Sequence, residues 1–222
     1  MTRPRQSRQR ELVGNPTKQT EEVTRSLRRL GAGVYLSVVF LALLGAGLTV
    51  LALEIQSAVR AYVTAESLWS KAQIKAVYRL DRFASIGERR ELEQAREMLE
   101  VPLADLRARR AMEQQPPDRE AAIRYFIEGQ AHPDDAPRMV WLYLYFRQHP
   151  NLNEALGYWR ETDPYILRLE AIVNEMEAHL EADPSGARAM DELRAEANRI
   201  AAAVHPLQDG FSDALGRGSR AI

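Results

Sequence analysis

Cysteine is absent from the chain. That excludes a disulfide framework, cysteine nucleophiles and thiolate metal sites. Glycine and proline are sparse, at 12 and 11 of 222 residues, and fall at segment boundaries. No glycine loop is spaced to cradle phosphate, and no G-x-S-x-G elbow is present. The four histidines, His132, His149, His179 and His205, have no histidine partner at i, i+4 and no H-E-x-x-H spacing. A helical zinc site is therefore not expected. His132 with Asp134 and Asp135 reads as loop polar groups and caps rather than a metal site. No kinase or cyclase signature occurs, so the chain itself reads as non-enzymatic, with no cofactor and no metal. The net charge of −1 argues against a nucleic-acid binder. Strands of alternating polarity and internal repeats are also missing. What remains, rich in Ala, Glu, Arg and Leu, reads as all-α.

Charge itself is missing from one long stretch. Residues 31–53, GAGVYLSVVFLALLGAGLTVLAL, hold no charged residue and no proline. A helix of that length is about 35 Å long and crosses a hydrocarbon core of about 30 Å with some tilt. Before it, residues 1–30 carry eight cations and three anions, a net +5. The segment after the span, Glu54 to Gln73, offers only Arg60 and Lys71. The positive-inside rule puts the N-terminus in the cytoplasm and the bulk of the chain outside. The apolar run exceeds the about 7–15 residues of a signal-peptide core, so an uncleaved anchor is expected. Three regions follow: a basic arm without regular structure (1–30), a transmembrane helix (31–53) and an extracytoplasmic helical domain (54–222).

In the external region, apolar residues from Ile55 through Trp69 to Phe83 recur in steps of three and four, and Gly87 is placed to end that helix. A second helix starts near Glu88, with a kink or restart expected at Pro102. Asp118 is suited to cap a short helix over Arg119–Gln130. Asp134 or Asp135 is suited to cap the next, in which Met139–Phe146 (MVWLYLYF) reads as a helix buried all round. Asn151 with Glu154 resembles a capping box. Two long helices follow, separated by a turn at Asp183–Gly186, with a perturbation at Pro164 and a kink at Pro206. The pattern suits an up-and-down bundle.

A basic stripe, Lys71, Lys75, Arg79 and Arg82, runs along the first external helix. It reads first as a solvated face paired with acids from another helix, and second as an anion-binding wall. The aromatic cluster at 139–146 reads first as core, second as a pocket wall.

Trp69-Ser70-Lys71-Ala72-Gln73, Val101-Pro102-Leu103, His132-Pro133-Asp134-Asp135 and Phe211-Ser212-x-x-Leu215-Gly216 with Arg220 occur in this order. Together they resemble the N-terminal extracytoplasmic sensor region of bacterial membrane signalling proteins such as sensor histidine kinases and diguanylate cyclases. The likeness covers roughly residues 62–220. It implies a helical-bundle sensor in the bacterial inner membrane, its main domain periplasmic or extracellular. It also implies a second span and a cytoplasmic output module, of the two-component or cyclase type, beyond Ile222. On this reading a small anionic ligand binds between helices. Trp69, Lys71, Gln73 and Arg107 are the expected contacts, Lys71 and Arg107 pairing a carboxylate and Trp141 forming an apolar wall. The expected partners are the lipid bilayer, a downstream signalling module and a second copy, since Gly33 and Ser37, Ala42 and Ala46, and Gly45 and Thr49 are small pairs that let spans approach. The rival reading is a membrane-tethered scaffold or interaction module with no small-molecule ligand.

Overall fold

A computed structural model describes residues 16–182 and 187–220. The first half of the basic arm and the turn expected at Asp183–Gly186 lie outside these residues. The described chain is all-helical: α1 (Pro16–Ile86), α2 (Arg89–Glu113), α3 (Arg119–Glu128), α4 (Ala136–Phe146), α5 (Pro150–Ala182) and α6 (Ala187–Arg220). Two compact units divide it, Met1–Leu51 and Ala52–Ile222.

In the first unit the helix begins earlier than the apolar run. Pro16 is its first residue, so residues 16–30 are helical where the sequence reading expects an arm without regular structure. Proline suits the first turn because its missing N–H would lack a helical partner there anyway. No glycine or proline follows until Gly31. The apolar side chains of the run are exposed, Val34 through Leu51 among them. One helix is long and apolar enough to cross a membrane among the described residues. Ser37 and Thr49 satisfy their hydroxyls inside the helix by donating to the Gly33 and Gly45 carbonyls, at 3.0 and 2.9 Å.

In the second unit Gly87 ends α1 as expected. Its φ of +69° is the left-handed conformation that costs glycine little, and its N–H donates to the Phe83 carbonyl at 2.8 Å. Asp118 caps α3 by accepting from the Ala121 N–H at 2.9 Å.

Other expectations need correction. Of the two outcomes expected at Pro102, a kink or a restart, the restart does not occur, since α2 runs through it; α5 and α6 likewise continue through Pro164 and Pro206. Pro102 is itself buried among packed neighbours, so tertiary packing outweighs the one lost backbone bond. Asp135 stands at the N-cap of α4 but makes no side-chain cap bond. Instead the Asp134 N–H donates to His132 Nδ1 at 3.2 Å. Asn151 lies inside α5, because Pro150 takes the first helical position. α4 is not buried all round. Met139, Val140, Leu142 and Tyr143 face inward, whereas Tyr145 is 62% exposed.

The core forms two clusters. One joins Leu80, Phe83, Leu92, Leu99, Ile166, Leu169, Ile172, Met176 and Val204 from α1, α2, α5 and α6. The other joins Tyr62, Met112, Phe126, Met139, Tyr143, Trp159 and Phe211, and draws on all six helices. Ion pairs register the helices. Arg168 on α5 reaches Glu196 on α6 at 2.7 Å, and Arg217 on α6 reaches Glu154 on α5 at 2.7 Å, so the two run antiparallel. α2 is tied to α5 by Arg96 to Glu177, at 2.7 Å, and by Arg109 to Asp163.

Candidate functional site

Where the two clusters meet, side chains of all six helices surround a cavity of about 40 Å³. That is room for roughly two or three water-sized groups. α1 contributes Tyr62, Glu66 and Trp69, and α2 contributes Asp105. α3 and α4 bring Phe126 and Met139, α5 brings Trp159, and α6 brings Gln208 and Phe211. The wall is mainly aromatic. Tyr62 packs edge-on against Phe126 and Trp159, with ring centres 6.2 and 6.3 Å apart. Trp159 stacks with Phe126 at 6.3 Å and meets Phe211 edge-on at 6.5 Å. Such edge and offset arrangements each add roughly 0.5–1.5 kcal/mol beyond area burial.

Polar groups interrupt this wall. The Tyr62 hydroxyl donates to the Met139 carbonyl at 3.0 Å. Burial pushes its ionisation well above the usual tyrosine range, and Tyr143 and Asp105 push it further the same way. Asp105 is 6% exposed, and its Oδ1 has no hydrogen-bond partner. Burial raises its carboxyl well above the usual aspartate range, which favours the neutral acid. Glu66, at the half-buried rim, is also raised: burial raises it, a hydrogen bond with Ser212 partly offsets that, and Asp209 adds to it. Gln208 Nε2 is buried and unpartnered as well. Among the described residues no lysine, arginine or histidine lines the cavity.

An ionic network lies behind Trp159. Arg109, only 3% exposed, donates to Glu113 at 2.9 Å and pairs with Asp163. Its guanidinium carbon lies 5.7 Å from the centre of the Trp159 ring. Glu113 also accepts from Arg160 at 3.0 Å and from the Tyr143 hydroxyl at 3.2 Å. Burial alone would raise the Glu113 carboxyl, but the two arginines hold it below the usual range. This network fixes the outer side of the aromatic wall.

The five residues singled out from sequence do not come together. Trp69 lines the cavity. Gln73, one turn further along α1, is 1% exposed with an unpartnered Nε2. Lys71 is exposed on α1. Arg107 pairs with Glu100 at 2.9 Å and lies over the Tyr125 ring at 5.6 Å. Trp141 packs against Phe146 at 5.2 Å and Tyr145 at 6.2 Å, away from the cavity. The basic stripe divides: Arg79 and Arg82 both pair with Glu91 on α2, at 2.9 and 3.0 Å, as a paired face would. Lys71 and Lys75 make no ion pair among the described residues.

Asp105 is the residue sequence reasoning missed, though a signal exists. Met98, Val101, Asp105, Ala108 and Met112 follow each other at steps of three and four. An acid therefore occupies a place in an apolar stripe.

A second cavity, of about 170 Å³, is lined mainly by apolar side chains, among them Ile55, Val59, Leu142, Phe146 and Leu215. Its polar lining residues are His149 and Asn151. Among the described residues no group of three or more His, Asp or Glu is placed to hold a metal ion. No family model matches the chain, and no curated protein or solved structure matches it.

Proposed function

We propose that this chain is the ligand-sensing input region of a bacterial transmembrane signalling protein. The observation that carries the reading is the cavity on which all six helices converge, with buried polar atoms that lack partners. Binding sites are typically apolar concavities with a few convergent polar groups. A ligand there touches every helix of the unit and favours the packing that fits it best. α1 carries both the apolar run and one wall of the cavity. A ligand-biased shift of α1 by about 1–2 Å is the size of displacement that helical switches use. On this reading the helical unit is an extracytoplasmic bundle, the apolar run is the anchor, and a catalytic output belongs to a downstream module.

The test is a melting-temperature screen of the full chain in lipid nanodiscs against a library of small metabolites. The expected result is a saturable rise with at least one compound, abolished by Trp159→Leu. A cooperatively melting protein that responds to no compound overturns the reading.

The second reading is self-association without a ligand. Val63, Ile74 and Tyr78 are 44%, 57% and 54% exposed and share one face of α1. A second copy packed on that face would place cysteines substituted at Ile74 close enough to crosslink.

A further inference from the structure

We infer that the cavity takes a small cationic amine, whose ammonium group is held by the Asp105 carboxyl inside the aromatic wall. The inference deepens the sensing reading and rests on it.

Three observations carry it. The first is the sign of the lining: two carboxyl groups, Asp105 and Glu66, and no cationic side chain. A carboxylate ligand would find no cation to pair with there, since Lys71 and Arg107 stand elsewhere. The second is the orphaned acceptor. Asp105 is buried with Oδ1 unpartnered, and a buried acceptor left unsatisfied costs about 1–3 kcal/mol. An N–H donor entering the cavity removes that penalty. The third is the rings. Tyr62, Phe126, Trp159 and Phe211 form a continuous wall whose negative faces attract cations. Trp159 already carries the Arg109 guanidinium at 5.7 Å. The size of the cavity then limits the headgroup to about that of ammonium or methylammonium.

Burial raises the Asp105 carboxyl and so favours its neutral form, which sets the proton balance. An amine arriving as its ammonium ion forms the ion pair, and the carboxyl proton leaves to solvent. An amine arriving as the free base takes that proton onto nitrogen, giving the same ammonium carboxylate pair. The ionisable groups around Asp105 are Tyr62 and Glu66 on α1, Arg109 one turn on in α2, Tyr143 on α4 and Tyr158 on α5. α6 adds Asp209, which acts on Glu66. α3 contributes Phe126 and the Gly129 cap, neither of which titrates.

The experiment uses the full chain in nanodiscs with Trp141→Phe, which leaves Trp69 and Trp159, both lining the cavity, as the only tryptophans. Methylammonium chloride is titrated against tryptophan fluorescence, with potassium chloride at equal ionic strength and sodium acetate as separate arms. The expected result is saturation with methylammonium alone, weakened about tenfold to a hundredfold by Asp105→Asn and unchanged by Lys71→Ala. A second measurement needs no Asp105 variant: methylammonium binding weakens as pH falls, because protonation of the carboxylate competes with the ammonium ion. Saturation by acetate but not methylammonium overturns the amine and leaves the sensing reading standing. A matching response to potassium chloride, equal binding by a folded Asp105→Asn protein, or binding that does not weaken at acid pH also overturns the amine. No response to any arm removes the amine, and the sensing reading then stands or falls on the wider metabolite screen.

Discussion

Asp105 occupies the space that a side chain on Gly129 would need: a Cβ built on Gly129 would lie 2.7 Å from Asp105 Oδ1. Gly129 has an ordinary φ of −73°, so its backbone does not demand glycine; the close approach does. The Phe126 and Tyr125 backbone carbonyls, both at 3.4 Å, are ordinary contacts, so the clash is with the buried carboxyl. Gly129→Ala should therefore destabilise the protein by about 1–3 kcal/mol, the usual cost of overpacking. Adding Asp105→Ala should recover most of the loss, since the two sites share one clash. Thermal melts of both single variants and the double variant check this. Strict additivity would show that the carboxyl does not bear on Gly129.

The raised Asp105 carboxyl sets a sign for pH dependence. Its folded-state value lies above its unfolded value because burial disfavours the charge. The group therefore contributes stability that is fully present below the ordinary aspartate value of about 3.9 and is lost as pH rises through the folded value. Asp105→Asn cannot ionise. Its melting temperature relative to the parent chain should rise steadily from about pH 4 upward. Glu66 adds a slope of the same sign, while Glu91 and Glu113, both lowered, add the opposite one. All three are common to the two proteins and drop out of the difference. A difference flat across the range would mean that Asp105 is solvated.

Most of the fold was legible because it rests on local signals. The apolar stripe from Ile55 to Phe83, the glycine stop at Gly87 and the Asp118 cap each depend on spacing within one turn or two. At the prolines, long-range packing decides whether a helix stops. Pro102 sits among buried side chains of α2, and the helix passes through it. The site was less legible for a related reason. Lys71 and Arg107 drew notice as charges in aromatic and basic surroundings, but a cation is easily paired or solvated at a surface, as Arg107 is with Glu100. Asp105 looked ordinary beside many other acids. Only the other helices folding over it make it unusual, and that meeting of distant segments is not written in any short motif.

Arg109 should be the most sensitive charged residue. It is buried and serves Glu113, Asp163 and the Trp159 ring at once. Arg109→Met keeps much of the apolar stem but leaves two acids without their buried partner. Those acids keep 32% and 20% of their side-chain exposure, so water relieves part of the penalty. A loss of about 2–4 kcal/mol is expected, at or below the usual range for breaking a buried pair. Denaturant melts would measure it. A loss no larger than that of Arg188→Met, whose side chain is 93% exposed, would show that the network is not structural.

Gly87 tests the backbone alone. A Cβ there meets nothing within 4 Å, so Gly87→Ala adds no clash. What it adds is a β-carbon at φ +69°, worth about 1–2 kcal/mol. For a chain of this size that corresponds to a melting temperature lower by roughly 2–8 °C. Gly87→Asn, which tolerates the left-handed region better, should fall between the two. An alanine variant as stable as the parent would mean that the α1–α2 turn relaxes to another conformation.

The apolar run makes its own demand on the surroundings. Leu43 and Leu44 are 68% and 48% exposed in the middle of it. Twelve Val, Leu and Phe residues between Val34 and Leu53 favour insertion by about 4–7 kcal/mol in total, whereas one central arginine opposes it by about 2.5–3.5 kcal/mol. A single Leu43→Arg change should leave the chain largely membrane-bound. Leu43→Arg with Leu44→Arg, opposing insertion by about 5–7 kcal/mol, cancels most or all of the balance and should release it or cause it to aggregate. Val63→Arg, an exposed site outside the run, is the control and should stay with the membrane fraction. Fractionation after an alkaline carbonate wash reads the outcome. A parent chain that washes off, or a double variant that stays, would argue that the run is covered by protein and not by lipid.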